Sequence, residues 1–183
     1  MARWIALFRG INVGKAKRIA MAELRTLLET ELGHSEVSTL LNSGNVVFSA
    51  TGRPTAIKLA AAIETAIEQH LGVQSKTTVI SAAQLDAMLA AMPWDDADEI
   101  ASRLLVAVLR EPDSEATSAA LKQLGEKDWA PDGFAIGPGV AYLRCEPGIL
   151  DSKLAPAFEK LFKDRATSRN WATMKKLQAL ANG

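Results

Sequence analysis

The apolar positions of this chain follow two periods, one of strands and one of helices. Trp4-Ile5-Ala6-Leu7-Phe8 is an unbroken apolar run of strand length, as expected of a strand covered on both faces. Met21, Leu24, Leu27, Leu28 and Leu32 then recur at helical spacing, and Gly33 follows as a stop. Val37, Thr39 and Leu41 alternate with Ser38 and Leu40 and read as a strand. Asn42-Ser43-Gly44 is turn chemistry, and Asn45 to Ser49 reads as the returning strand of a hairpin. Pro54 and Thr55 open a second helix whose apolar face includes Ile63, Ile67 and Leu71, and Gly72 ends it. Lys76 to Ile80 is a fourth strand, so the order to this point is βαββαβ. Ser81 and Gln84 form a capping box for a third helix carrying Leu85, Met88, Leu89 and Met92, which Pro93 stops.

A second cycle begins at Leu104-Leu105-Val106-Ala107-Val108-Leu109, again an unbroken apolar strand, ending in Arg110 as the first ends in Arg9. Asp113 can cap a helix bearing Ala120, Leu121 and Leu124, stopped by Gly125. Strands are expected around Phe134 to Ile136 and Val140 to Cys145, and helices over Ser152 to Phe162 and Ser168 to Ala181. The second half therefore reads βαββαα. The stretch Pro93-Trp94-Asp95-Asp96-Ala97-Asp98-Glu99 changes composition abruptly and is the expected boundary. The prediction is an α+β protein of two ferredoxin-like lobes, 1–92 and 93–183, the second with two terminal helices, related by internal duplication.

The βαββαβ order places residues far apart in sequence on one sheet edge. A strand-helix-strand crossover returns the chain parallel to where it started, and the hairpin strand slots antiparallel between the two. The exits of the first strand (Arg9) and the second (Asn42) then share an edge. The loop 9–18 and the turn 42–45 become neighbours there, beside the N-terminus of the helix starting near Met21.

That edge carries the candidate chemistry. Arg9, Lys15, Lys17 and Arg18 put four cations and no anion into the loop 9–18. Gly10 and Gly14 let backbone N–H groups approach a ligand closely. Asn12, Asn42, Ser43 and Asn45 offer neutral polar groups beside Gly44, and a helix N-terminus adds free N–H groups and partial positive charge. Arg suits two-pronged recognition of phosphate or carboxylate, and Lys acts as a mobile point charge. The bland reading stands beside this one: Asn-Ser-Gly-Asn is also what a hairpin turn needs. The loop is neither a Walker A motif nor the dinucleotide fingerprint, since Gly10-x-x-x-Gly14 has the wrong spacing for either.

A third polar segment is Thr167 to Leu177. Ser168 can cap a terminal helix on which Trp171, Met174 and Gln178 form one stripe and Thr173, Leu177 and Leu180 another. Structurally this is an amphipathic helix docking by Trp171. Functionally, Arg169, Asn170 and Lys176 would join the loop and the turn at one anion site.

Together, Arg9 to Gly14 (Arg-Gly-Ile-Asn-Val-Gly), Ser43 to Phe48 (Ser-Gly-Asn-Val-Val-Phe) and Arg169 to Trp171 (Arg-Asn-Trp) resemble the bacterial family called domain of unknown function 1697. The resemblance spans nearly the whole chain and implies a two-lobed α+β protein. It implies no established activity. Where the family often continues Gly-Lys-Asn-Lys/Arg with a later proline, this chain has Lys15-Ala16-Lys17-Arg18 and Ala20. That departure shifts weight from a tight backbone cradle to side-chain charge.

Bulk composition narrows the classes. The chain has 183 residues, a formal net charge of zero and 48% hydrophobic residues, enough for a packed core and without a global pull toward nucleic acid or membrane. Charge is uneven: net about +2 over 1–92, about −6 over 93–147 and about +4 over 148–183. A solubility pattern and a convergence of basic ends on one site both fit. One cysteine, Cys145, no signal peptide and no long apolar stretch point to a cytoplasmic protein. Cys145 reads as a buried structural thiol, and His34 and His70 as structural or solvated. No catalytic residue, metal ligand set or cofactor is identified. Asp95, Asp96, Asp98 and Glu99 read as a solvated linker face, with weak divalent-ion binding as the lesser alternative. The expected partner is an anionic small molecule, phosphorylated or carboxylated, possibly a nucleotide. A nucleic-acid-binding module is the alternative and a protein-interaction scaffold a further one. No membrane partner is expected.

Overall fold

The computed structural model describes all residues, Met1–Gly183, and divides into two compact units, Met1–Leu85 with Leu177–Gly183, and Asp86–Lys176. Each unit holds a four-stranded antiparallel sheet with helices.

In the first unit the sheet contains β1 (Ala2–Phe8), β2 (Ser35–Leu40), β3 (Asn45–Ala50) and β4 (Thr77–Ser81), in the order β2-β3-β1-β4. β3 lies antiparallel between β1 and β2, so those two strands run the same way. Helices α1 (Met21–Thr30) and α2 (Ala56–Leu71) supply Leu24, Leu28, Ile63 and Ile67 to a core with Phe8, Val46 and Phe48 from the sheet. Every residue of β3 is buried, as its place inside the sheet requires. The ends of α2 follow local chemistry: Thr55 accepts a hydrogen bond from the Lys58 N–H, and Gly72 closes the helix in the left-handed conformation. Ser81 and Gln84 form the reciprocal box that opens α3 (Ala82–Ala90), with bonds of 2.9 and 3.2 Å.

The second unit repeats the topology. Its strands are β5 (Leu104–Leu109), β6 (Gly133–Gly137), β7 (Val140–Arg144) and β8 (Ala166–Asn170), in the order β6-β7-β5-β8. Helices α4 (Glu115–Gly125) and α5 (Leu154–Phe162) bring Ala120, Leu124, Phe158 and Phe162 against Ala107, Ala141 and Leu143. A turn of 3-10 helix over Lys163–Arg165 leads into β8, and α6 (Trp171–Asn182) follows. Two ferredoxin-like α+β lobes, one a topological repeat of the other, make up the chain.

Two local expectations are corrected. The helix expected over Ser168 to Ala181 is a strand and then a helix, so the second half reads βαββαβα and matches the first. Ser168 therefore pairs with Ala107 inside the sheet instead of capping a helix; Asn170 Oδ1 caps α6, accepting from the Thr173 N–H at 2.9 Å. α4 is capped by Ser114, which accepts from the Thr117 N–H, and not by Asp113. At the starts of α4 and α6 a neighbouring polar group took a role that spacing alone assigned to another residue. α5, expected from about Ser152, runs from Leu154, with Ser152 Oγ accepting from the Ala155 N–H at 3.0 Å and buried Asp132 accepting from the Lys153 and Leu154 N–H groups at 3.1 and 3.2 Å.

Candidate functional site

The loop after β1 is pinned on both sides where it leaves the sheet. Phe8 N–H bonds to Gly44 O at 2.9 Å, and Arg9 N–H to Lys76 O at 2.9 Å, so the chain leaves the sheet beside the β2–β3 turn. Ile11 and Ile19 are buried and anchor the loop to the core of the first unit. Between them Asn12, at φ 56°, acts as a clasp. Its Nδ2 donates to Ile19 O at 2.8 Å and to Asn42 O at 2.7 Å, and its Oδ1 accepts from the Ile19 N–H at 2.8 Å. Its N–H reaches Lys17 O at 3.0 Å. One amide thus joins loop to turn and closes the loop on itself. Asparagine tolerates the left-handed backbone and offers both a donor and an acceptor, which explains its use here.

The turn is built with equal economy. Gly44 has φ 80°, and a Cβ there would stand 2.5 Å from Ile11 Cδ1 and 2.8 Å from Phe8 Cβ. Glycine is needed for conformation and for space. Asn45 is fully buried, donating to Leu40 O at 2.8 Å and Ser43 Oγ at 3.0 Å, so it stitches the hairpin from inside. Asn42 and Ser43 lie exposed on the outer side.

What remains outward is charge. Residues Val13 to Arg18 are all exposed. Lys15 and Lys17 make no ion pair, and Arg18 donates through Nη2 to Gly14 O at 3.2 Å without a carboxylate partner. α1 starts beside them from Ala20, which provides no side-chain cap, so its first N–H groups are left for another acceptor. Asn12, Arg18, Ile19, Ala20, Met21 and Asn42 line a pocket of about 400 Å³. On another side of Arg18, a hollow of about 570 Å³ is bordered by Lys17, Arg18, Gly72 and Val73, with Glu68 and Gln74 bonded to each other at 2.5 Å.

The third segment belongs to the other unit. Asn170 is engaged as the cap of α6, Arg169 donates to Ser168 O at 2.9 Å, and Lys176 is exposed on α6. The cluster that the first unit assembles by itself is the loop, the turn and the start of α1. Within it Gly44, Asn45 and Asn12 form the frame, while Lys15, Lys17, Arg18, Asn42 and Ser43 face outward. The helix start expected near Met21 does line the pocket, through Ala20 and Met21; Ile19 joins it outside the expected set, and the apolar Ile11 and Ile19 flanking a polar run were its signal.

Other chemistry is accounted for structurally. Asp96 pairs with Arg144 at 2.8 Å, and Asp98 accepts from Trp171 Nε1 at 2.6 Å, so the acidic run ties down its own segment of the second unit. Burial pushes the Cys145 thiol up, away from the reactive thiolate. His34 stacks on Phe48 with ring centroids 4.5 Å apart, and burial lowers its pKa. No helix is long and apolar enough to cross a membrane.

Comparison with other proteins agrees with this architecture. The family model described as "Protein of unknown function (DUF1697)" matches residues 1–142, a span that includes the loop and the turn and ends within β7. Among solved structures, a conserved bacterial protein, SP0830 from Streptococcus pneumoniae, superposes with a TM-score of 0.79 at 24% identity, covering 98% of each chain. At that identity the likeness is one of fold. No curated protein matches the sequence.

Proposed function

The chain belongs to the DUF1697 family of proteins of unknown function, and on that premise we propose that it binds an anionic small molecule at the loop 9–18, the turn 42–45 and the start of α1. The phosphate or carboxylate sits against Arg18 and the first N–H groups of α1. Asn42 and Ser43 supply neutral hydrogen bonds, and Lys15 and Lys17 raise the local concentration of the ligand. The setting is the bacterial cytoplasm, where phosphorylated metabolites and nucleotides are the abundant anions of this class.

One observation carries the reading. Arg18, with no carboxylate partner, lines the pocket at an uncapped helix start, and the exposed, unpaired Lys15 and Lys17 lie in the same loop, which a clasp that the fold does not need holds in place. The pocket of about 400 Å³ falls within the range of roughly 300–1,000 Å³ usual for small-molecule sites. A nucleic-acid surface draws less support, because Phe8 and Phe48 are fully buried and give no stacking platform on the sheet.

The test is thermal stability against inorganic phosphate, nucleotides, phosphorylated sugars and dicarboxylates. A ligand held at 100 times its dissociation constant is expected to add about 2.7 kcal/mol. Arg18→Ala is expected to remove that gain while leaving the unliganded protein's stability nearly unchanged, since Arg18 is exposed and makes only one weak bond. A flat response across the panel, or a gain unchanged in Arg18→Ala, overturns the assignment.

A further inference from the structure

The edges of the two sheets are treated unequally. β2 is interrupted by a register shift between Ser35 and Ser38, with Glu36 at φ 50° and its carbonyl taken by Arg3 Nη1 at 3.3 Å. On β4 the Thr77 N–H is covered by Glu64 Oε1 at 2.8 Å. On β8 the Ser168 carbonyl accepts from Arg169 Nη1. β6, the other edge of the second sheet, has none of these protections. Its sequence, Gly133-Phe134-Ala135-Ile136-Gly137, carries no charge, its register with β7 is regular, and Ile136 is 54% exposed.

Hydrogen-bond parity shows what that edge presents. Leu109 N–H bonds to Gly139 O at 3.0 Å, so the odd-numbered residues of β7 face β5. The even ones, Val140, Tyr142 and Arg144, face β6 and pair with Gly137, Ala135 and Gly133. Phe134 and Ile136 therefore direct their N–H and C=O groups away from the sheet, and no group in the chain bonds to them. A row of unpaired donors and acceptors on an apolar strand is a template for another strand.

The geometry points to a second copy of this chain as that strand. We infer that β6 pairs antiparallel with β6 of the other copy about a two-fold axis at Ala135. Phe134 then stands opposite Ile136 of the second copy, and Ile136 opposite its Phe134. Because both residues turn their backbone groups outward, these are hydrogen-bonded pairs, and four N–H···O=C bonds form with none left over. The same register sets an aromatic against a β-branched side chain twice and covers the exposed Ile136, with no like charges opposed. Gly133 meets Gly137 at either end. Pro131 and Pro138 bracket the strand, so pairing stops at five residues, and a two-fold contact uses each edge once and closes as a dimer. The two four-stranded sheets become one of eight.

Sedimentation of the full chain tests this. At about 100 μM the protein is expected to run as a dimer, and at submicromolar concentration increasingly as a monomer. Ile136→Pro removes an outward N–H without touching the β7 ladder, and Ile136→Lys places like charges near each other across the axis. Both are expected to be monomeric with unchanged circular dichroism, and the lysine variant decides if the proline variant fails to fold. In the native chain, amide exchange at Phe134 and Ile136 is expected to slow with concentration. A monomer at about 100 μM, dimers that persist in Ile136→Lys, or exchange at these two amides that ignores concentration overturns the inference.

Discussion

The two lobes share a strand order and even single hydrogen bonds, yet differ in one connection. Phe8 N–H to Gly44 O in the first corresponds to Leu109 N–H to Gly139 O in the second. Arg9 N–H to Lys76 O corresponds to Arg110 N–H to Arg165 O. From that common point the second lobe reaches its helix through residues 110–114, and the first takes residues 9–20. The short version shows what the fold requires. The additional residues of the long one, with their cations, left-handed backbone positions and asparagine clasp, are surplus to the topology. Loops placed by a rigid scaffold are where binding residues concentrate, and this loop is held in shape by Ile11, Ile19 and Asn12 while its cations stay outside.

The largest expected effect comes from the equivalent glycines of the two hairpins. Gly44→Ala meets the Ile11 side chain and Phe8 at 2.5 to 2.8 Å as well as an unfavourable φ, and is expected to cost about 3–4 kcal/mol. Gly139→Ala has φ 69° but a nearest contact of only 3.4 Å, to Met88 Cε, and is expected to cost about 1–2 kcal/mol. Urea denaturation of both variants measures the difference; equal losses would mean that the loop does not press on the turn.

Next comes the polar stitch of each central hairpin strand. The first lobe uses Asn45, and the second uses Tyr142, whose buried hydroxyl donates to Met88 O at 2.5 Å. Burial pushes the Tyr142 phenol up to about 12. The folded protein favours the neutral phenol, so its contribution is complete below the unfolded value near 10 and is lost as pH rises from there to about 12. The loss amounts to about 2–3 kcal/mol. Tyr142 is the single tyrosine of the chain, so tyrosinate absorbance reports it without overlap. Ionisation near 10 without unfolding would contradict this, and Tyr142→Phe is expected to flatten the alkaline slope.

A smaller effect is expected at the clasp. Asn12→Ala removes its side-chain bonds to Ile19 and Asn42 and is expected to cost about 1–2 kcal/mol. Amide exchange should quicken in residues 12–19 and not in 110–114. If the loop exchanges no faster, Ile11 and Ile19 hold it without the asparagine.

Elements with a strong local signal were readable in advance. The apolar runs of β1 and β5, the capping box at Ser81 and Gln84, and the Thr55 and Gly72 ends of α2 depend on neighbours in sequence. β8 was not readable: Ala-Thr-Ser-Arg-Asn has weak strand character, and the cross-strand partners in β5 hold it extended. For the site, chain order sufficed to place the loop beside the turn, because antiparallel insertion of β3 between β1 and β2 leaves no other arrangement of their ends. Which side chains face outward was a different matter. Asn12, Gly44 and Asn45 look like ligand groups in a sequence, but Asn12 commits its amide to Ile19 and Asn42 while still lining the pocket, Asn45 is buried against the Leu40 carbonyl, and Gly44 fits a crowded turn.

The order of residues by itself determined two α+β lobes and a cationic loop at a strand exit, since periodicity and turn chemistry are local properties. Only the tertiary structure decided which polar groups hold the frame and which remain exposed, and which sheet edge is left open. Those outcomes depend on the distance between atoms remote in sequence, on burial, and on the parity of hydrogen bonds across strands.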